Sequence, residues 1–170
     1  MGRIFTLTDD IKRIATDAFD DLLDTLGRQC RLYYPPKSIR CENCSLSLVG
    51  GKPSNKYLHG GPQPFPLGSL CPACGGNNII MTEVYTDINL LITEDIAKYK
   101  KLENINIPNG SIRTKGYVND MQKVMQCDYM IKDHEQQGIL YQKYRLYGEI
   151  LMPGNIIKNR YFVCYWERFQ

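Results

Sequence analysis

The sequence predicts an α+β fold that is mostly β. An N-terminal amphipathic helix would be packed on a small antiparallel β-barrel or sheet of five or six strands, interrupted by an inserted four-cysteine, zinc-ribbon-like loop. Three observations predict this: a helical repeat of apolar residues near the start, later stretches rich in β-branched and aromatic residues, and two C-x-x-C pairs. The 170 residues suit a single domain, 1–170, carrying a zinc-ribbon-like insert at 41–76.

The helix is indicated by apolar residues that recur at steps of three and four between Thr8 and Gly27, the spacing that places them on one helical face. These residues are Ile11, Ile14, Ala15, Ala18, Phe19, Leu22, Leu23 and Leu26. Thr8 is placed to cap the first turn, and Gly27 is placed to end the helix in a left-handed turn.

Four aspartates, Asp17, Asp20, Asp21 and Asp24, fall on the opposite side of the predicted helix. Such an acidic row is typical of a solvated surface, and it could instead meet a basic partner. It does not have the pattern of a metal site.

The strands are predicted where β-branched and aromatic residues cluster and apolar and polar residues alternate. They are RQCRLYY at 28–34, IIMTEVYTDINLLI at 79–92, QCDYMIKD at 126–133, ILYQKYRLYGEIL at 139–151 and RYFVCYWERF at 160–169. The first should stop at the two prolines that follow it. Residues 94–102 are expected to form a short helix or turn, and Trp166 is expected to close the core.

The two C-x-x-C pairs, CENC at 41–44 and CPACGG at 71–76, predict a metal site. Each tight turn brings two sulfurs to one side, so two facing turns supply the four corners of a tetrahedron. We predict that Cys41, Cys44, Cys71 and Cys74 bind a structural Zn²⁺. The segment between the pairs is rich in Gly, Pro and small polar residues and has too few apolar side chains for a core of its own.

Other uses of these cysteines fit the sequence less well. Neither pair opens a convincing helix, as a thioredoxin-like dithiol would. A catalytic zinc keeps a coordination position for water, whereas four thiolates fill the shell. His59 could replace one ligand, but complete cysteine pairs make it a surface residue in our interpretation, and His134 has no companion at ligand spacing.

The rest of the chain offers no recognisable catalytic arrangement. Cys30, Cys127 and Cys164 lie in apolar or alternating runs and are expected to pack as small buried hydrophobes. We find no phosphate-binding loop, paired catalytic carboxylates or serine elbow, so we predict that the protein is not an enzyme.

The net charge of +3, from 21 basic and 18 acidic residues, is not the footprint of a dedicated nucleic-acid binder. The insert does combine cations and aromatic rings at Lys52, Lys56, Tyr57 and Phe65. An intracellular zinc-ribbon protein that binds nucleic acid or the transcription machinery is therefore the alternative. With neither a secretory signal nor an apolar span, we expect a soluble intracellular chain without a membrane partner.

The order of elements resembles the small neck proteins of tailed bacteriophages, called head-completion, head-closure or stopper proteins. The similarity covers the helix and first strand, DDIKRIATDAFDDLLDTLGRQCRLYYPP, and the C-terminal strands, KYRLYGEIL and RYFVCYWERF. It comprises about two thirds of the chain, and the zinc-ribbon-like insert departs from the simplest members.

This resemblance implies a virion structural protein, made in the host cytoplasm, that acts in the phage neck as a head-to-tail connector or closure subunit. Its partners would be copies of itself in a ring between portal and tail, the portal or adaptor protein and the tail proteins. Passive contact with DNA inside the channel is also implied, and the acidic helix face could line that channel without holding the DNA, because like charges repel. No functional residues are transferred, because the family has no invariant catalytic motif.

Overall fold

The computed structural model describes residues 8–46, 53–55, 63–66, 69–96, 106–132, 142–152 and 160–169. Helix α1 spans Asp9–Leu26, and a second helix, α2, spans Val118–Gln126. The strands are β1 Arg28–Arg40, β2 Cys44–Leu46, β3 Pro53–Asn55, β4 Ile79–Thr93, β5 Ile112–Tyr117, β6 Tyr129–Lys132, β7 Lys143–Leu151 and β8 Tyr161–Arg168. Among the helices of these residues, none is long and apolar enough to span a membrane.

Six strands close into a barrel in the order β1-β4-β5-β8-β7-β6, and the pairings with a described register are antiparallel. This architecture, with α1 at its N-terminal end, confirms the predicted fold class. The chain divides into two compact units. The first comprises residues 1–34 and 85–170 and contains α1, α2 and the barrel core; the second comprises 35–84 and therefore includes the whole predicted insert.

The barrel core is built from side chains that alternate inward along the strands, with α2 packed against β5, β7 and β8. Its buried members are Cys30, Leu32, Ile88, Leu90, Ile112, Val124, Met130, Tyr144, Phe162, Cys164 and Trp166. Trp166 is fully buried, and its indole Nε1 donates a hydrogen bond of 2.8 Å to the Thr114 hydroxyl. Trp166 thus lies in the core, where the sequence placed it.

Several elements differ from the prediction. Strand β1 continues through Pro35 and Pro36 to Arg40 and does not stop at the prolines. Its residues beyond Tyr34 are exposed, as expected where proline removes a ladder donor. Strand β5 and the short strands β2 and β3 were not predicted. Helix α2 was not predicted either; it ends at Gln126, so that the strand predicted from residue 126 begins only at Tyr129. The predicted helix or turn at 94–102 lies mostly outside the described residues.

Helix α1 is held against the barrel by a small set of contacts on β5 and β8. The Phe19 ring lies 5.8 Å from the Tyr161 ring, and the Lys115 ammonium lies 3.4 Å from the Phe19 ring centroid. Asp20 accepts a 2.6 Å hydrogen bond from the Tyr161 hydroxyl and pairs with Arg160. Burial opposes ionisation of Asp20, but these hydrogen bonds outweigh it and hold the pKa of its carboxyl below the usual value.

The packing of α1 corrects three expectations. Asp20 faces the barrel and is not part of a solvated row, and Asp24 accepts a 3.4 Å hydrogen bond from the Tyr117 hydroxyl. Gly27 ends the helix in an extended conformation, φ −61° and ψ 135°, and not in a left-handed turn. Thr8 occupies the N-cap position but makes no side-chain capping hydrogen bond.

The apolar side of α1 is only partly used by the barrel. Leu23 is the one residue of the helix that is fully buried. A row along the helix stays largely exposed: Ile11 (48%), Ile14 (64%), Ala18, Leu22 (41%) and Leu26 (56%). We call these five residues the α1 stripe.

Candidate metal centre

The four cysteines of the two C-x-x-C pairs converge in the second unit. The Sγ atoms of Cys41, Cys44, Cys71 and Cys74 all lie within 4.8 Å of one another. Cys41 Sγ is 3.9 Å from Cys71 Sγ, and Cys44 Sγ is 3.4 Å from Cys74 Sγ. Four sulfurs bound tetrahedrally at about 2.3 Å from a metal ion would lie about 3.8 Å apart. The arrangement therefore fits a metal ion at the middle of the four sulfurs.

The local backbone explains how the two pairs come to face each other. In the first pair, Cys41 directly follows β1 and Cys44 begins β2, and the second pair lies in a run of turns just before β4. Gly75 and Gly76 have φ angles of 61° and 90°, in the left-handed region that glycine adopts without a Cβ clash. The Gly75 N–H donates to the Cys71 carbonyl at 2.8 Å. This turn folds the chain back so that both sulfurs of the second pair point to one side.

Two asparagines support the centre, and the sequence analysis did not single them out. The Asn43 amide donates hydrogen bonds to Cys71 Sγ at 3.4 Å and to the Gln63 carbonyl at 2.7 Å. Asn78 has a left-handed φ of 60°, and its carbonyl accepts a 2.9 Å hydrogen bond from the Cys41 N–H. The position of Asn43 inside the first C-x-x-C motif was the available signal, because a donor there lies next to the thiolates.

Two thiols of the centre have pKa values that are shifted in opposite directions. Burial, together with the neighbouring sulfurs, raises the pKa of Cys44. At Cys71 burial also opposes ionisation, but hydrogen bonds from Asn43 and from the backbone N–H groups of Cys74 and Ala73 lower its pKa to about 6. One thiolate is thus already favoured at neutral pH. A metal cation would supply the positive charge that lets the remaining thiols ionise.

Among the described residues, little apolar surface surrounds this centre. Cys41, Cys44 and Cys71 are buried, and the partly buried side chains of this part of the chain that pack against them include Phe65 and Ile80. The composition of the segment had indicated that it lacks a core of its own. A sulfur-bound metal would be the main force that holds this unit together.

The other residues weighed from the sequence are not brought to the centre where the structure describes them. Cys30 and Cys164 are buried in the barrel core, and Cys127 packs against it. Burial raises the pKa values of Cys127 and Cys164 to about 12, so both remain thiols at neutral pH. His59 and His134 lie outside the described residues, as do Lys52, Lys56 and Tyr57.

Comparisons with known proteins leave the family open. No protein-family model matches the chain, and no curated protein or solved structure is significantly similar to it. The function must therefore be argued from the barrel, the four-cysteine centre and the surfaces of α1.

Proposed function

We propose that this protein is a virion structural subunit of a tailed-phage neck. In this proposal it is a head-to-tail connector or closure subunit that forms a ring between portal and tail, where DNA passes without specific contacts. The observation that carries the proposal is the α1 stripe: an amphipathic helix lies on the barrel but leaves most of its apolar row exposed, among the described residues. Contiguous exposed apolar surface is typical of an interaction site.

The chemistry of the four-cysteine centre supports a structural and non-enzymatic role. Among the described residues, the candidate donors in the cluster are four thiols, a set that zinc binds in closed tetrahedral sites. We therefore propose that the ion is Zn²⁺ and that all four positions are taken by sulfur. Zinc bound in this way would stiffen the 35–84 unit, and a stiff element loses little conformational entropy when it docks onto a neighbour.

The alternative, a zinc ribbon that binds nucleic acid, has less support. Phe65, the one member of its proposed cation and aromatic set within the described residues, packs against the cysteine cluster. A ring packed into a core cannot also stack freely on a base. Titration with DNA and RNA at several salt concentrations tests this alternative, since such binding must weaken steeply as salt rises.

Electron microscopy tests the neck proposal directly. The chain carrying a small density label would be produced during phage growth, and purified tailed particles would be imaged. We expect label density at the junction of head and tail, repeated around the axis. Label that is missing from the particles, or that lies on the capsid or tail tip, would contradict the proposal.

Cobalt substitution tests the nature of the centre. One cobalt ion per chain, with the intense charge-transfer absorption of four thiolate ligands, is the expected result. A spectrum with fewer sulfur donors, or with a bound water molecule, would refute the closed site and reopen a catalytic role.

A further inference from the structure

The outer surface of the barrel carries a second unusual feature, centred on β1 and β6. Tyr33 of β1 and Tyr129 of β6 stack with their ring centroids 4.7 Å apart and their planes within 9°. Tyr85 of β4 extends the row on one side at 5.8 Å, and Phe169, just after β8, extends it on the other at 6.2 Å. We call these four aromatic residues the aromatic row.

Cations accompany the aromatic row. The Lys143 ammonium lies 5.1 Å from the Tyr129 ring centroid, and the Arg145 guanidinium lies 5.0 Å from that of Phe169. Arg31, over the Tyr85 ring at 4.2 Å, is neutralised by its ion pair with Asp87. Lys143 and Arg145 therefore provide the positive charge, although Arg145 lies across the β7–β8 ladder from Glu167.

The α1 stripe is bordered by charges opposite in sign to those beside the aromatic row. Asp17 and Asp21, four residues apart on α1, form an exposed acidic edge beside it. Neither makes an ion pair with another of the described residues. The stripe is thus apolar with a negative border, and the aromatic row is apolar with a positive border. Opposite charges at the rim of an apolar contact select the partner and its orientation.

The strand order separates α1 from the stacked pair at the centre of the aromatic row. Helix α1 contacts Lys115 of β5 and Tyr161 of β8, which are neighbouring strands. The stacked pair Tyr33 and Tyr129 lies on β1 and β6, which are also neighbours and are separated from β5 and β8 by β4 on one side and by β7 on the other. A molecule with two different, complementary surfaces associates head to tail, and such contacts close into a ring when the rotation allows.

We propose that the α1 stripe of one copy docks on the aromatic row of the next, with Asp17 and Asp21 facing Lys143 and Arg145. This inference rests on the proposed function, which requires a ring, and names the surfaces that form it. It also assigns the acidic edge of α1 to a subunit contact and not to the wall of a DNA channel.

The contact between two copies is expected to be small, so association must be measured over a range of protein concentrations. An 18-residue helix is about 27 Å long and about 10 Å wide, a footprint of roughly 270 Å². A standard stable interface uses roughly 800 Å² per partner. One such contact alone should be weak, whereas a closed ring, in which every copy uses both surfaces, should be stable.

Two charge-reversed full-length variants test the proposal. Variant A carries Asp17→Lys and Asp21→Lys, and variant B carries Lys143→Glu and Arg145→Glu. In each variant alone, like charges meet at every contact. In an equimolar mixture the stripe of A meets the row of B and the stripe of B meets the row of A, so opposite charges face each other at every A–B contact, and a ring with an even number of copies regains them throughout.

Sedimentation velocity over a concentration series measures the outcome, and Trp166 emission with metal content verifies that each variant is folded. We expect A and B alone to associate at least roughly a hundredfold more weakly than the unmodified chain. The mixture should recover association, to the same oligomer where the ring has an even number of copies. The control, Lys37→Glu with Arg40→Glu, reverses as much charge as variant B at exposed positions in the other unit and should associate normally.

Several results would overturn the inference. An unmodified chain that stays monomeric at every concentration would do so, as would A and B that associate normally. If variant B associates normally and variant A does not, α1 of one copy pairs with α1 of another copy and not with the aromatic row. The unmodified chain could also bind a single-stranded oligonucleotide in a salt-dependent way. If variant B loses that binding but associates normally, the aromatic row is a nucleic-acid surface. Imaging of labelled particles is independent of this contact, so the neck proposal and the docking proposal can fail separately.

Discussion

Removal of the proposed Zn²⁺ from the four-cysteine centre should unfold the 35–84 unit and leave the barrel folded. The two units differ in what holds them together. The barrel has an extended core with Trp166 and Phe162 fully buried, whereas the second unit is organised around its cysteine cluster, with Phe65 and Ile80 partly buried beside it. The perturbations are a strong chelator and, separately, the substitution Cys71→Ser.

The free energy that metal binding would contribute to this unit exceeds the contribution of the apolar side chains beside the cysteines. Phe65 and Ile80 together contribute at most about 6 kcal/mol, since a fully buried side chain of this size contributes about 1.5–3 kcal/mol. A metal ion bound by four thiolates supplies about 10 kcal/mol or more at neutral pH. A bound metal would therefore contribute more to the stability of this unit than the apolar contacts of its described residues, which could not compensate for its loss.

The chain offers a separate reporter for each unit. Trp166, its only tryptophan, is fully buried in the barrel, so its emission reports the barrel alone. Limited proteolysis followed by mass spectrometry reports cleavage within 35–84. After chelation or Cys71→Ser we expect rapid cleavage in that range with native Trp166 emission, and Cys127→Ser serves as the control that retains the metal. Unchanged protease resistance after verified metal loss would refute the reasoning.

Three further predictions concern the barrel and α1. Thr114→Val should lower the free energy of unfolding by about 1–3 kcal/mol in urea titrations, because it leaves the buried Trp166 N–H without its acceptor; Thr114→Ser, which keeps the hydroxyl, should cost less. Gly116→Ala should destabilise by about 1–3 kcal/mol in the same assay, because the new methyl would lie 2.7 Å from a side-chain carbon of Leu90; a wild-type midpoint would contradict this packing. The lowered pKa of Asp20 means that its stabilising contribution is present above the unfolded pKa of about 3.9 and is lost as pH falls through the lower folded value. Asp20→Asn should therefore flatten the acid side of the stability–pH curve, and an unchanged curve would show that its hydrogen bonds contribute nothing.

Composition and residue spacing predicted the structure correctly where it depends on residues that are close together in the chain. The C-x-x-C spacing predicted the set Cys41, Cys44, Cys71 and Cys74, because two tight turns leave few other ways to use four thiols. The three- and four-residue repeat predicted α1, and alternation predicted the inward side chains of β1. These signals depend on chain geometry over a few residues, which the sequence specifies directly.

The same rules failed where a competing interaction came from a distant part of the chain. Proline should have ended β1 at Pro35, yet the strand continues with exposed residues, where a missing ladder donor costs little. The acidic side of α1 should have been solvated, yet Asp20 is paired with Arg160, 140 residues away. No local pattern reports such a partner.

By itself the sequence determined the helix, the mostly β character and the four-thiol cluster, because periodicity and motif spacing act within short stretches of chain. Only the tertiary structure decided that the strands close into a barrel, which residues of α1 face it, which stay exposed as the α1 stripe, and which aromatic side chains meet in the aromatic row. Those features depend on which strands become neighbours when the barrel closes. Closure is a property of the whole chain, since it brings together residues more than a hundred positions apart, as with Phe19 and Tyr161.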